Sequence, residues 1–328
     1  MLLKLFKRAL PSVFAGVILL TIFGWLKSLL GAESYPFYFD ESHMPLYAIV
    51  LYLVGESILA QQMVALLTML LCAFLLIQLN TKHILIKYRT YLPPLFFIII
   101  SSSFLPLQRI NPAVFAAIFL ILALDNILSS YDSKRPIDRY FKASFLVGIA
   151  SLFYFAAIFY VLLVFISIII LRPSGVREWF VSLLGFIAPW FFLFFYHYFF
   201  HDNVSAIPNL ITSAGATIDI KRFYGILFTI FYSYSGLLVI ITLLYLLNSL
   251  STQKISHRKY HSIFIWFFLI SVAVAFLSPF SSIEITYLGA IPTAFIFSHF
   301  FTFSRNRFWT EALFTLLIVI AVLMQFYN

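Results

Sequence analysis

The chain has 328 residues, of which 63% are hydrophobic, 20% aromatic and only 10% charged. A soluble domain is about 45–50% apolar and about 25% charged, so this composition excludes a water-soluble globular protein. The formal net charge is +9, but the basic residues stand in short clusters between apolar runs, which is a topogenic pattern and not a nucleic-acid surface.

A helix needs about 20 apolar residues to cross about 30 Å of hydrocarbon. Runs of suitable character cover 11–30, 59–79, 91–107, 112–128, 144–171, 179–200, 223–247, 263–280, 287–303 and 309–326. Lys4, Lys7 and Arg8 precede the first run, and no small-residue cleavage site follows it. A retained first helix is expected there. Further basic clusters are Lys82, Lys87 and Arg89; Lys134, Arg135, Arg139 and Lys142; Arg172 and Arg177; Lys254, Arg258 and Lys259; and Arg305 and Arg307. Together with the N-terminal group they hold 17 of the 21 Lys and Arg, and the positive-inside rule places them all in the cytoplasm.

Both flanks of 144–171 then lie on the cytoplasmic side. As one straight helix its 28 residues would reach about 42 Å. The expectation is a short helical hairpin over 144–171, hinged near 154–157 and shielded by neighbours, because exposed turn backbone is not tolerated in hydrocarbon. One long tilted helix with inverted topology downstream is the alternative. With the hairpin counted twice, the chain is a single integral membrane domain, 1–328. It is an all-α polytopic bundle of about 11 passes, with the N-terminus cytoplasmic and the C-terminus periplasmic in a bacterial inner membrane.

The first outer loop, 31–45, has no Lys or Arg but carries Glu33, Asp40, Glu41 and His43. The apolar stretch 46–79 is too long for one pass. A break at 55–57 gives an outer segment, 31–58, made of the loop plus an interfacial helix begun near Pro45, with the true crossing after it. Adjacent carboxylates above a membrane surface suit a general base and a group that positions it, or they simply belong to a solvated loop.

Four basic residues escape the inner side: Lys27, Arg109, Lys221 and Arg222. Guanidinium and ammonium groups pair well with phosphate oxygens, so a lipid phosphate is one reason for their placement. Interfacial snorkelling is the alternative for Lys27 and Arg109, and a simple surface ion cluster after Asp219 the alternative for Lys221 and Arg222. Asp125 falls at the inner end of its run, where it caps or pairs. Glu284 lies in the short outer link 281–286. His197 with His201, and His257 with His261, have the i, i+4 spacing of metal ligands, but neither pair has a third ligand nearby in sequence. Cys72 is the lone cysteine, which rules out a disulfide within the chain and a Cys-based metal site. Gly-rich phosphate loops, HExxH and GxSxG are absent, so soluble nucleotide chemistry has no support. Ionisable residues are scarce in helix centres, unlike ion-driven carriers.

Phe39-Asp40-Glu41-Ser42-His43 resembles the Asp-Glu-x-His signature in the first outer loop of protein O-mannosyltransferases. Those enzymes, like the lipid-A aminoarabinose transferases, belong to the GT-C class of polyprenyl-phosphate-sugar glycosyltransferases. The order of helix one, acidic loop, interfacial helix and helix two is similar to that class, as is a short helix pair after helix four. Tyr287-Leu288-Gly289-Ala290-Ile291-Pro292 resembles its late Tyr-Leu-x-x-x-Pro stretch, although Thr286 stands where the class usually has a basic residue. The region 141–165 also resembles a bacterial polytopic membrane family with no assigned activity.

The GT-C resemblance implies that Asp40 deprotonates the acceptor while Glu41 and His43 organise the site. Arg109, Lys221 and Arg222 are candidates for the donor phosphate on topology alone. The implied function is transfer of a sugar from a polyprenyl-phosphate donor to an acceptor on the periplasmic face, with no resident cofactor, although a divalent metal is compatible with the chemistry. The implied partners are a polyprenyl-phosphate sugar lipid, membrane lipids and a possible membrane partner subunit, with no nucleic acid. A non-catalytic membrane scaffold or assembly subunit is the second reading, and a lipid or small-molecule transporter the third.

Overall fold

The computed structural model describes residues 3, 6, 7, 11–31, 43–87, 90–171, 175–201, 225–280 and 283–326. All their regular structure is helical: twelve α-helices and four short 3-10 turns. Eight helices are long and apolar enough to cross a membrane by length and composition, the character of a multi-pass membrane protein.

Helix α1 (Pro11–Leu30) is followed in the described chain by α2 (Pro45–Val54) and α3 (Ile58–His83). The break between the last two has a local cause. Gly55 takes φ +77, a conformation unfavourable for residues with a Cβ, and its N–H donates to the carbonyl of Leu51 at 2.9 Å. Ser57 then caps α3, and Gln61 Nε2 donates back to the Gly55 carbonyl at 3.0 Å.

Helix α4 (Leu92–Ser102) opens on Pro93 and Pro94 in its first turn, where missing N–H groups are tolerated. It is only about 16 Å long, and a 3-10 turn at Leu105–Leu107 leads on into a short bent loop, 108–111. Helix α5 (Pro112–Ser129) starts from Asn111, whose Oδ1 accepts from the Val114 N–H at 3.0 Å.

Helix α6 (Pro136–Phe153) stops where Tyr154 turns extended, at φ −137 and ψ 110. A 3-10 turn, Phe155–Tyr160, leads into α7 (Val161–Leu171). The first limb thus starts eight residues ahead of the run at 144–171, because the polar turn 136–143 is also helical. Side-chain contacts fix the directions of the limbs. Helix α8 (Val176–His201) runs parallel to α6: Gly185 lies beside Phe141 and Ser144, Gly148 beside Pro189, and Trp190 Nε1 donates to Ser151 Oγ at 2.9 Å. Helix α7 runs against α8, with Phe165 stacked on Trp179. Limbs α6 and α7 are therefore antiparallel, and both flanks of the hairpin lie at one end of the bundle.

The chain continues through α9 (Ile226–Ser249), α10 (Ile255–Leu277), a 3-10 turn at Ile283–Ile285, α11 (Thr286–Phe303) and α12 (Arg307–Phe326). Helix α11 is the axis of the fold and is buried along almost its whole length. Phe96 of α4 packs on Phe297 and Phe301, and Phe264 of α10 on Phe295. Helices α1, α8 and α12 form the periphery, with exposed Leu, Ile, Val and Phe, an arrangement that suits lipid contact.

Among the described residues, members of several basic clusters meet at one end. Lys82 Nζ meets both oxygens of Asp125 at 2.9 and 2.7 Å, and His83 Nε2 meets Oδ1 at 2.8 Å. Tyr260 packs edge-on against His83 and Tyr131. Lys259 donates to the carbonyl of Leu171 at 2.6 Å, and Arg139 to Asn126 Oδ1 at 3.3 Å. Lys7, ahead of α1, has its pKa lowered first by burial and then by Arg307, with Glu311 acting the other way.

Candidate functional site

The opposite end is polar in a different way, and the short loop after Leu107 organises it. Gln108 is buried, and its amide nitrogen donates to the carbonyls of Gly24 at 3.2 Å and Ser102 at 2.7 Å, and to Gln325 Oε1 at 2.9 Å. Ser28 Oγ donates to the Gln108 carbonyl at 2.9 Å, and Gln325 Nε2 to the Ser102 carbonyl at 2.8 Å. The open carbonyls at the end of α4 are satisfied in this way, and α1, α4 and α12 are tied to one loop.

On the other side of the loop, Tyr287 Oη donates to the Leu107 carbonyl at 2.9 Å and also shares a hydrogen bond with Asn111. Asn111 Nδ2 donates to the Arg109 carbonyl at 3.2 Å. Tyr47 of α2 is buried and donates to the Ile110 carbonyl at 3.3 Å. Arg109 thus sits on backbone held from both neighbours.

His43 stacks on Tyr47, ring centroids 6.0 Å apart at 27°. The end of the Asp-Glu-x-His motif and the Arg109 loop are therefore linked through one tyrosine. Of the six candidate site residues, His43 and Arg109 are placed at this end. Asp40, Glu41, Lys221 and Arg222 lie outside the described residues, as does Glu33.

Glu284 is fully buried, and its Oε1 accepts from Tyr154 Oη at 2.9 Å. This bond joins the hinge of the α6–α7 hairpin to the turn that opens α11. Tyr232 of α9 is hydrogen-bonded to Thr286 Oγ1 at 3.1 Å. Glu284 was visible in the sequence as a charge in a short outer link. Gln108, Asn111, Tyr154 and Gln325 were missed, since nothing local marks them: Gln108 and Gln325 are 217 residues apart.

Asp125, by contrast, is part of the basic end and pairs there with Lys82 and His83. His261 packs edge-on against His299 at 4.9 Å, and Gln253 Nε2 lies 3.1 Å from His299 Nε2. Among the described residues no group of three His, Cys, Asp or Glu is arranged to hold a metal ion. The side chain of His201 lies outside the described residues, so its spacing with His197 gains no geometry.

No curated protein and no solved structure matches the chain. A family model does, over residues 34–328, and by that match the chain belongs to the family of unknown function DUF6427.

Proposed function

We propose that the chain is a membrane glycosyltransferase of the GT-C type, acting at the end of the bundle opposite its basic loops. The observation that carries this reading is the link from His43 through Tyr47 to the loop bearing Arg109. Helix order adds support: α1, acidic loop, α2 as an interfacial helix, then α3, with the short antiparallel pair α6–α7 further on.

In this reading the donor is a polyprenyl-phosphate sugar. The bond between the sugar's anomeric carbon and the phosphate oxygen breaks, and its electron pair leaves with the polyprenyl phosphate. A bond forms between that carbon and the acceptor oxygen, whose proton passes to the Asp40 carboxylate. Glu41 and His43 orient the base, and Arg109 with Lys221 and Arg222 neutralises the departing phosphate. The positive-inside rule sets the basic end in the cytoplasm, so eleven passes cross a bacterial inner membrane and the site opens to the periplasm.

The test is genetic and chemical together. Cells lacking the chain are expected to accumulate a polyprenyl-phosphate-linked sugar in lipid extracts, and wild-type protein clears it. An Asp40→Asn variant present at equal abundance in membranes leaves the accumulation in place. Full clearance by Asp40→Asn would contradict catalysis and favour a non-catalytic scaffold.

A further inference from the structure

A lateral groove of about 300 Å³ runs between α1, α4 and α12. Its walls are Val17, Leu20, Leu95, Ile98 and Ile318, and its mouth is flanked by exposed Phe23, Leu26 and Val322. Polar side chains gather towards one end: Lys27, Ser102, Ser103 and Gln325. Most of those are already committed. The Ser102 and Ser103 hydroxyls donate to the carbonyls of Ile98 and Ile99, and the Gln325 amide nitrogen to those of Ser102 and Ser103. Lys27 is half-buried, and its side chain has no ion pair or hydrogen bond among the described residues.

We propose that this groove binds one acyl chain of an anionic phospholipid, with Lys27 on the lipid's phosphate. An apolar trough with a cation at one end is complementary to an apolar tail with an anion at one end. Length agrees as well. The groove follows α1 from Val17 to the cation at Lys27, about 15 Å at 1.5 Å per residue, and one leaflet is half of a hydrocarbon core about 30 Å thick. The site lies beside the Gln108 network, which shares Gly24, Ser102 and Gln325 with it. A bound lipid would therefore brace the loop that carries Arg109. The inference goes beyond the transferase reading and does not depend on it.

Native mass spectrometry of the full chain tests it, after exposure to equal amounts of phosphatidylglycerol and phosphatidylcholine with matched acyl chains. Wild-type protein is expected to retain phosphatidylglycerol about fivefold over phosphatidylcholine. Lys27→Gln should abolish that preference and Lys27→Arg keep it. Ala321→Trp, which fills the groove, should release the retained lipid of either kind. If that variant does not fold, the two Lys27 variants decide the matter. The assignment is overturned by a wild type with no preference, by a Lys27→Gln variant that keeps it, or by a folded Ala321→Trp variant that retains lipid like wild type. Displacement of phosphatidylglycerol by an equal amount of polyprenyl phosphate overturns it too, in favour of the donor lipid.

Discussion

At the residue scale, Gln108 and Asp125 show how differently two polar side chains can act in the same bundle. Gln108 is 1% exposed and serves three helices at once. Single hydrogen bonds in membranes average well below 2 kcal/mol, because the alternative state also finds partners. A buried group that serves several partners loses more, since each is left unsatisfied. Gln108→Leu is therefore expected to lower stability by about 1–3 kcal/mol, read as a drop in the thermal unfolding midpoint of detergent-solubilised protein. An unchanged midpoint would refute the bracing role. In the Asp125 cluster the Lys82 side chain is 51% exposed, whereas His83 is 7% exposed. Solvent screens the lysine pair, so Lys82→Met should cost less than about 1 kcal/mol. His83→Ala should cost more, because it also removes the packing on Tyr260. Equal losses in the same unfolding assay would contradict this ranking.

At the element scale, the α6–α8 seam rests on two glycines. A Cβ on Gly185 would lie 2.7 Å from the Phe141 carbonyl oxygen, and one on Gly148 would lie 2.7 Å from that of Phe186. Backbone cannot step aside as a flexible side chain can, so either change pushes the helices apart. Gly185→Ala and Gly148→Ala are each expected to cost about 1–3 kcal/mol. Gly289 on α11 is the control: its Cβ would meet Ser271 at an ordinary 3.7 Å. Gly289→Ala should be neutral or gain up to about 1 kcal/mol of helix propensity. Thermal unfolding of the three variants side by side checks this, and a Gly289→Ala loss as large as the other two would count against it. Element breaks were legible where a residue enforces them. Gly55 with Ser57 marks the end of one helix and the cap of the next, and the sequence places a break at 55–57. The stop at Tyr154 was legible for another reason: the basic flanks of 144–171 require a return. The helical turn 136–143 was not, because charged Asp138, Arg139 and Lys142 make it read as a loop.

At the scale of the whole molecule, composition and the spacing of apolar runs define the class, but they do not show which helix sits at the centre. In water the most hydrophobic segment would be buried. Here α11, the most buried span, is the least hydrophobic of the eight, while the Phe-rich α8 is the most exposed. Lipid solvates apolar faces as well as a protein core does, so the usual inference from hydrophobicity to burial fails. The same reason hides the Gln108 network, whose members are polar because they face other helices. His43 and Arg109 fall at one end of the bundle; topology alone nominated Arg109, whereas His43 was nominated by the Asp-Glu-x-His resemblance.

Sidedness tests the central claim most directly, since a transferase fed by a periplasmic acceptor needs the His43 end outside. Single cysteines at His43 and at Lys134, in a Cys72→Ala background, are treated in intact cells with a membrane-impermeant maleimide. The account predicts that the residue 43 cysteine is labelled from outside and that the residue 134 cysteine is labelled only after the cells are opened. The reverse pattern would put the Arg109 loop in the cytoplasm and contradict the proposed site.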